Sequence, residues 1–442
     1  MDNRIYLLDV TNRDGVQTSR LGLAKLEKTI INILLNKMGI YQSEIGFPTT
    51  LHETNYINAN LELAKIGILK PIILSGWMRA IKSDIEKAVE LTQLEHVNLS
   101  ISTSQQMING KFHGKFSGED MIKMMVEAVQ RAQDLGIKTI GVNAEDASRT
   151  KMEFLIRFSI AAKKAGAHRI RYCDTLGYET PFRIHFRMKD LTKAVDLPIE
   201  IHCHNDLGMA VANSIMGAKG VIEEGQDAII NTTVNSMGER AGNADLVSTT
   251  LALKYGAEIE ELGMVDPRID LSKAWKIATY ASHAFGVPIP LNQPGVGDNA
   301  FAHESGIHAD GALKDRKNYE LYDYNELGRG ETIMIETGRK ITTGEYSGIS
   351  AFIHNYNHFN IEFKNEEEAR QILELVRYAN VQKQRPLVKE EFIFIAKYPK
   401  IAKKLLTMTP PDISIEPPYF KMGNNRINKN IPKNELKAHI KN

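Results

Sequence analysis

The run Ile199-Glu200-Ile201-His202-Cys203-His204-Asn205-Asp206 decides how the rest of the chain is read. Its apolar alternation marks a β-strand, on which residues two apart share a face. His202 and His204 therefore stand side by side at the strand end, and two parallel imidazoles make half of a metal site. Two satisfied strand-end histidines are the simpler alternative. The choice depends on whether other polar groups sit at strand ends that can meet this one.

Working outward, short apolar runs alternate with helical patterns. Strands are expected at Ile5–Val10, Ile40–Gly46, Ile72–Leu74, Val97–Ile101, Thr139–Asn143, Arg169–Cys173, the His-x-His run and Ala228–Val234. Helices are expected at Leu23–Lys37, Asn55–Lys65, about Lys82–Leu94, Gly118–Leu135, Lys151–Ala165, Pro181–Ala194, Met209–Glu224 and Asp245–Tyr255. Eight strand–helix units over about 255 residues have the rhythm of an α/β protein of the (β/α)8 TIM-barrel class, with a doubly wound open sheet as runner-up. Barrel chemistry sits on the loops after the strands.

After Pro267 the rhythm changes. A helix is expected over Leu271–Phe285, then a Pro/Gly-rich connector through Gly297, then a tyrosine-bearing polar stretch. Further helices are expected at Glu366–Asn380 and Lys389–Leu406, with a Pro/Asn/Lys-rich tail from Thr409. The expected division is a catalytic barrel over 1–265, a linker and lid or dimerisation subdomain over 266–360, and a mainly helical C-terminal region over 361–442.

The 442 residues are 43% hydrophobic and 25% charged with a formal net charge of +1, an ordinary globular balance that gives no reason to expect nucleic acid or membrane as partner. Cys173 and Cys203 both fall in expected strands and read as buried reduced thiols. No apolar run reaches the roughly 18 residues of a membrane span, and the start of the chain leaves no room for a signal peptide before Ile5. The expectation is a cytoplasmic protein.

Several polar clusters fall at strand ends. Asp14, in Arg13-Asp14-Gly15 after the first strand, is a candidate third ligand beside His202 and His204. Gly238-Glu239-Arg240-Ala241-Gly242-Asn243 follows the eighth strand, which neighbours the first in a closed barrel. Asn243 could reach the metal or its water. Glu145, after the fifth strand, could act as a base or orient metal-bound water, and Arg149 could grip a carboxylate in two-point fashion. Thr175, after the sixth, can donate to a carboxylate. Surface pairing, turn formation and helix capping are the simpler alternatives for these groups.

Taken together, the Arg-Asp-Gly loop, the His-x-His strand, Gly-Glu-Arg-Ala-Gly-Asn and Gly306-Ile307-His308-Ala309 resemble the Claisen-condensing branch of the DRE-TIM metallolyases, over roughly residues 5–350. That family includes isopropylmalate, citramalate and homocitrate synthases and citrate synthases of the Re-face type. The resemblance implies a TIM barrel with a C-terminal extension in a domain-swapped homodimer. It implies a divalent metal (Mn²⁺ first; Mg²⁺, Co²⁺ or Zn²⁺ otherwise) on Asp14, His202 and His204, with Asn243 near or on it. The substrates would be acetyl-CoA and a 2-oxo acid, whose keto group Arg13 polarises and whose carboxylate Thr175 holds. Gln17 matches a polar position of the first motif. Glu145 and His308 match the catalytic carboxylate and histidine, His308 coming from the partner subunit.

There are departures. The usual first motif, Asp-Thr-Thr-Leu-Arg-Asp-Gly-Glu-Gln, here reads Asp-Val-Thr-Asn-Arg-Asp-Gly-Val-Gln, so Asn12 and Val16 are unusual. The familiar Gly-Lys-His-Ser-Gly is Gly344-Glu345-Tyr346-Ser347-Gly348, and the family's tyrosine could be Tyr319, Tyr322, Tyr324 or Tyr346. Where homocitrate synthases place a histidine after the third strand, this chain has Trp77. Its indole would shorten the pocket, while Arg79 and Arg149 keep cations available. Oxaloacetate fits that better than 2-oxoglutarate, and 2-oxoisovalerate would strand an arginine. The divergent first motif and Leu321–Gly330 also look like the Re-type citrate synthases, with homocitrate synthase as the alternative and isopropylmalate or citramalate synthase behind it. Asn235–Asn243 lacks the cysteine of the related lyases, and the retained ligand set speaks against a non-catalytic binding protein.

Overall fold

In a computed structural model, residues 3–259, 265–330 and 341–408 are described. Eight parallel strands form a closed barrel in chain order: β1 (Ile5–Asp9), β2 (Gln42–Gly46), β3 (Ile73–Arg79), β4 (His96–Ser102), β5 (Thr139–Glu145), β6 (Arg169–Asp174), β7 (Ile199–Cys203) and β8 (Ala228–Thr232). The ring is sealed where β1 pairs with β8, from Ile5 opposite Ala228 to Asp9 opposite Thr232. This excludes the open sheet.

The covering helices are α1 (Lys25–Lys37), α2 (Leu51–Lys65), α3 (Lys82–Leu91), α4 (Gln105–Phe112), α5 (Gly118–Asp134), α6 (Met152–Ala165), α7 (Pro181–Val195), α8 (Ala210–Glu223) and α9 (Leu246–Tyr255). The helical spacing of Leu26, Ile30 and Leu34 puts all three in the buried core between α1 and the strands. Cys173 and Cys203 are free thiols, both buried. Beyond the barrel come α10 (Ala274–Phe285), α11 (Gly306–Lys314), α12 (Ile349–His358), α13 (Glu366–Lys383), α14 (Lys389–Lys397) and α15 (Pro399–Leu406). Of these, α14 and α15 return to α1 and α2, with α13 packed on them. Lys383 of α13 anchors them, with its Nζ buried 2.6 Å from Glu391 and 3.4 Å from Glu27.

Four expectations need correction. The third strand does not stop at Leu74. Its ladder to β4 continues from Gly76 opposite Val97 to Arg79 opposite Ser100, so Trp77 lies within the strand. The loop after β4 contains α4, which Ser104 caps by accepting the Met107 N–H at 3.2 Å. The helix expected over 389–406 is two helices. Pro399 lacks an N–H and forces Tyr398 out of helical geometry, at φ −130° and ψ 55°. α11 and α12 were not anticipated. The tail from Thr409 lies outside the described residues. Among the described residues, no helix is long and apolar enough to cross a membrane.

The barrel interior is the larger surprise. TIM-barrel interiors are dominated by branched apolar side chains. Here Glu44, Asn98, Arg169, Arg171, Glu200 and Asn231 are buried together inside the ring. They occupy alternate strand positions, so one face of β2, β6 and β7 is charged while the other packs against helices.

Candidate active site

The loop after β1 is built by one carbonyl. Val10 O accepts the N–H groups of Arg13, Asp14 and Gly15 at 3.0, 2.8 and 3.1 Å. The unusual Asn12 anchors this loop to α1, donating at 2.9 Å to both Lys28 O and Asn32 Oδ1. The turn places Asp14 opposite the end of β7. Its Oδ2 lies 3.4 Å from His202 Nε2 and 4.0 Å from His204 Nε2, and the two Nε2 atoms are 3.3 Å apart. All three residues are buried.

Asn243 reaches the cluster because its segment bridges to His204 antiparallel. Its Nδ2 donates to Asp14 Oδ1 at 3.3 Å and to Met237 O at 3.1 Å, while its Oδ1 is buried without a hydrogen-bond partner. Gly238 allows the approach: a Cβ there would sit 2.1 Å from Asn243 Nδ2, at a φ of +150°. Gly177, with φ +60°, similarly lets the loop after β6 meet His204 O, 2.7 Å from where its Cβ would be.

The electrostatics suit a cation. Burial pushes the Asp14 carboxyl up, but Arg13, His202 and His204 outweigh this and hold it well below the usual carboxylate range. Burial first, then His202, pushes His204 down to about 4, so its imidazole is neutral near pH 7. A carboxylate and two imidazoles within 4.8 Å of one another fit a divalent metal with open positions for a substrate. Cations of this kind hold such ligands about 2.1 Å away, which sets neighbouring donors about 3 Å apart. The orphaned Asn243 oxygen would suit a further place beside such an ion.

Arg13 is held on two sides, by Asp14 Oδ2 at 2.7 Å and Glu44 Oε1 at 2.6 Å. Glu44 also accepts from Arg171 Nη2 at 2.7 Å and Asn98 Nδ2 at 2.6 Å. Arg171 continues to Glu200, which lies 2.9 Å from Arg169. Burial raises the Glu44 carboxyl, but Arg171 and Arg13 bring it down to about 2. Trp77, half-buried, lies against this ladder. Its ring is 5.6 Å from the Arg13 guanidinium carbon and meets Phe47 edge-on at 5.7 Å.

The other candidates surround the cluster or stand apart from it. Thr175 Oγ1 accepts the Asp146 N–H at 2.9 Å. Arg240 ties the neighbouring loops together, donating to Thr175 O and to both Asp206 oxygens at 2.9 and 3.0 Å. Glu145, at the end of β5, is paired with Lys111 at 2.6 Å and bonded to Ser102. Arg149 is occupied by Asp146, with contacts of 2.7–3.1 Å. Arg79 is exposed and gripped by Asp84 at 2.7 and 2.8 Å, on the helix side rather than at the cluster. Gln17 is exposed in a single 3-10 turn. His308 is exposed on α11, its ring 4.4 Å from that of Tyr319.

The sequence reading missed Glu44, Arg171, Glu200 and Arg240. For the three on strands, the available signal was polar residues spaced by two, with Glu200 on the same face as His202, that were not followed back along the strands.

The comparisons with known proteins agree with this geometry. Residues 4–280 match the HMGL-like family model, and residues 296–384 match the homocitrate synthase post-HMGL domain-like model. The chain is 60% identical to a citrate (Re)-synthase of Dehalococcoides mccartyi, over 92% of this chain and 99% of that one. It is 39% identical to a 2-isopropylmalate synthase of Caldanaerobacter subterraneus, over 89% and 95% of the two chains. It is 34% identical to a homocitrate synthase of a Nostoc species, over 89% and 97%. The fold is shared with the HMG-CoA lyases of Bacillus subtilis (18% identity, TM-score 0.53, 66% of this chain and 96% of that one) and Pseudomonas aeruginosa (14%, 0.54, 65% and 95%).

Proposed function

The chain belongs to the HMGL-like family of DRE-TIM enzymes, and we propose that within it the protein is a metal-dependent citrate (Re)-synthase, condensing acetyl-CoA with oxaloacetate and water to give citrate and CoA. It is an acyltransferase. The observation that carries the specific reading is the 60% identity, over nearly the whole of both chains, to a protein of that name.

Asp14, His202 and His204, with Asn243 beside them, would hold the divalent cation, Mn²⁺ by preference. Bound there, it would fix the 2-oxo acid and draw electron density from its keto carbon. Arg13, made rigid by Glu44, supplies positive charge to the alkoxide oxygen as the new carbon–carbon bond forms. Thr175 has its oxygen engaged by the Asp146 N–H, which leaves its hydroxyl proton for the substrate carboxylate. Trp77 walls the far end of the acceptor pocket and favours a short dicarboxylate. Gln17, Arg79 and Arg149 complete the proposed substrate set. For Arg79 and Arg149 this requires release from Asp84 and Asp146.

One of Glu145 and His308, the matched carboxylate and histidine, takes the proton from the acetyl methyl group. The resulting carbanion attacks the keto carbon, whose oxygen takes up a proton. Water then cleaves the thioester, releasing CoA as its thiol and leaving a carboxylate. His308 comes from the partner of a homodimer, which its exposure on α11 supports. In this reading residues 1–265 form the catalytic barrel, 266–360 the linker and lid or dimerisation subdomain, and 361–442 the C-terminal region of a cytoplasmic enzyme.

The second reading is homocitrate synthase, favoured by the domain matched over residues 296–384. CoA release from acetyl-CoA with Mn²⁺, comparing oxaloacetate, 2-oxoglutarate, 2-oxoisovalerate and pyruvate with and without EDTA, separates them. Preference for oxaloacetate, abolished by EDTA, is the expected result. Preference for 2-oxoglutarate overturns the citrate reading and leaves the chemistry standing.

A further inference from the structure

Asn143 lies on β5, buried, opposite Ser100 of β4 and Arg171 of β6. One end of its carboxamide lies 3.0 Å from the Trp77 indole nitrogen and 3.2 Å from Arg171 Nη1, and the oxygen is assigned to that end because both neighbours are donors. Neither group can accept a hydrogen bond, so the carboxamide has one orientation that satisfies both. We infer that Asn143 is a specificity-determining residue, which sets the length of the 2-oxo acid admitted by locking the Trp77 indole in place. This rests on the reading that the acceptor binds between Arg13 and Trp77.

The argument begins with the indole. The ring is half-buried, but its N–H points at the buried Asn143 beside Arg171, and an inward-facing donor that loses its acceptor costs about 1–3 kcal/mol. The Arg13 guanidinium and the edge of Phe47 contact the ring, but neither offers an acceptor to the indole nitrogen. Asn143 does, and the bond pins the ring against rotation about its side-chain torsions. The far wall is then a fixed surface. Removing the acceptor frees the indole to turn aside and make room for a longer ligand. Oxaloacetate and 2-oxoglutarate differ by one methylene, a difference that a rigid wall can discriminate by about 10–200-fold.

The same oxygen ties the wall to the polarising cation. From Asn143 the bonds run through Arg171 to Glu44 and on to Arg13. Ligand length and keto-group alignment are thus set by one connected frame. Serine or alanine at 143 could not reach the indole, whereas aspartate presents an acceptor of the same reach beside Arg171.

The test uses the full-length, Mn²⁺-loaded enzyme. The ratio of kcat/KM for oxaloacetate over 2-oxoglutarate is measured for the wild type, Asn143→Ala, Asn143→Asp, Trp77→Phe and the Asn143→Ala/Trp77→Phe double variant. Asn143→Ala is expected to lower the ratio about tenfold or more, chiefly through the KM values for the two acids. Asn143→Asp should hold it near the wild-type value. The double variant should fall no further than the lower single variant, because both changes break the same bond. An unchanged ratio in active Asn143→Ala, or additive effects in the double variant, overturns the inference. Should Asn143→Ala not fold, Asn143→Asp against Trp77→Phe carries the comparison: a ratio that falls with aspartate as far as with phenylalanine overturns the lock. In a Trp275→Phe background Trp77 is the remaining tryptophan, and its emission should shift with Asn143→Ala but not with Asn143→Asp. A wild type that prefers 2-oxoglutarate would defeat the citrate reading alone. The emission arm then still judges the lock, and an unmoved spectrum sinks it.

Discussion

Arg13 and Glu44 meet inside the barrel at 2.6 Å, joining the loop after β1 to the middle of β2. The pair is out of water, so its charge cannot be replaced by solvent. Glu44→Gln would leave Arg13 and Arg171 short of a counter-charge. The expected cost is about 3–5 kcal/mol of stability, with turnover falling by about two orders of magnitude as Arg13 loses its alignment. Because the folded-state pKa of Glu44 is depressed to about 2, its contribution is present above the ordinary carboxylate range and is lost as the pH falls through 2. Denaturant titrations between pH 6 and pH 2 should show this acid-labile portion in the wild type and not in the variant.

Metal binding should appear as stability. At a free Mn²⁺ concentration about 100 times its Kd, the wild type should gain about 2.7 kcal/mol. His204→Ala removes one of the three proposed ligands and should show little gain at the same concentration, with its circular dichroism unchanged. An equal gain in both proteins would place the ion elsewhere.

Asp9 provides a pH test away from the cluster. Burial pushes its carboxyl up to about 7, against the opposing hydrogen bonds of Thr11. The folded state thus keeps a proton that the unfolded chain releases near 3.8. The penalty is absent below that value, grows as the pH rises, and is complete above 7. Asp9→Asn should match the wild type at pH 4 and exceed it at pH 8 by on the order of 3–4 kcal/mol. Equal stabilities at pH 8 in urea unfolding would contradict this.

Subunit exchange tests the proposal that His308 serves a partner's site. Glu145→Gln and His308→Ala should each be nearly inactive alone. If His308 serves the neighbouring barrel, a mixed dimer carries both lesions in one site and none in the other. An equimolar mixture allowed to exchange should recover up to about a quarter of wild-type activity. No recovery, with exchange confirmed by mass, would place both groups in one chain's site.

The sequence made the barrel legible because each strand–helix unit carries its own periodicity, and the ends of β1, β7 and β8 bear polar residues that apolar strands throw into relief. Asp14, His202, His204 and Asn243 were therefore found together. What was not legible depends on distant partners. Nothing local in Ser75-Gly76 says that β3 continues past it. That is decided by pairing with β4. The Glu44–Arg171–Glu200 ladder needs three strands far apart in the chain, each contributing one or two polar positions that are unremarkable alone.

Cys173 and Cys203, buried among the strands that hold the site, bear on how the enzyme can be followed. Burial pushes both thiols well above their ordinary range, so neither presents a thiolate at neutral pH. A disulfide reagent that colours on reaction with free thiols should therefore report the CoA that the proposed condensation sets free, while leaving the native protein unlabelled. Any slow colour appearing without substrate would then count molecules that have unfolded, making the same cuvette a clock for the fold as well as for the reaction.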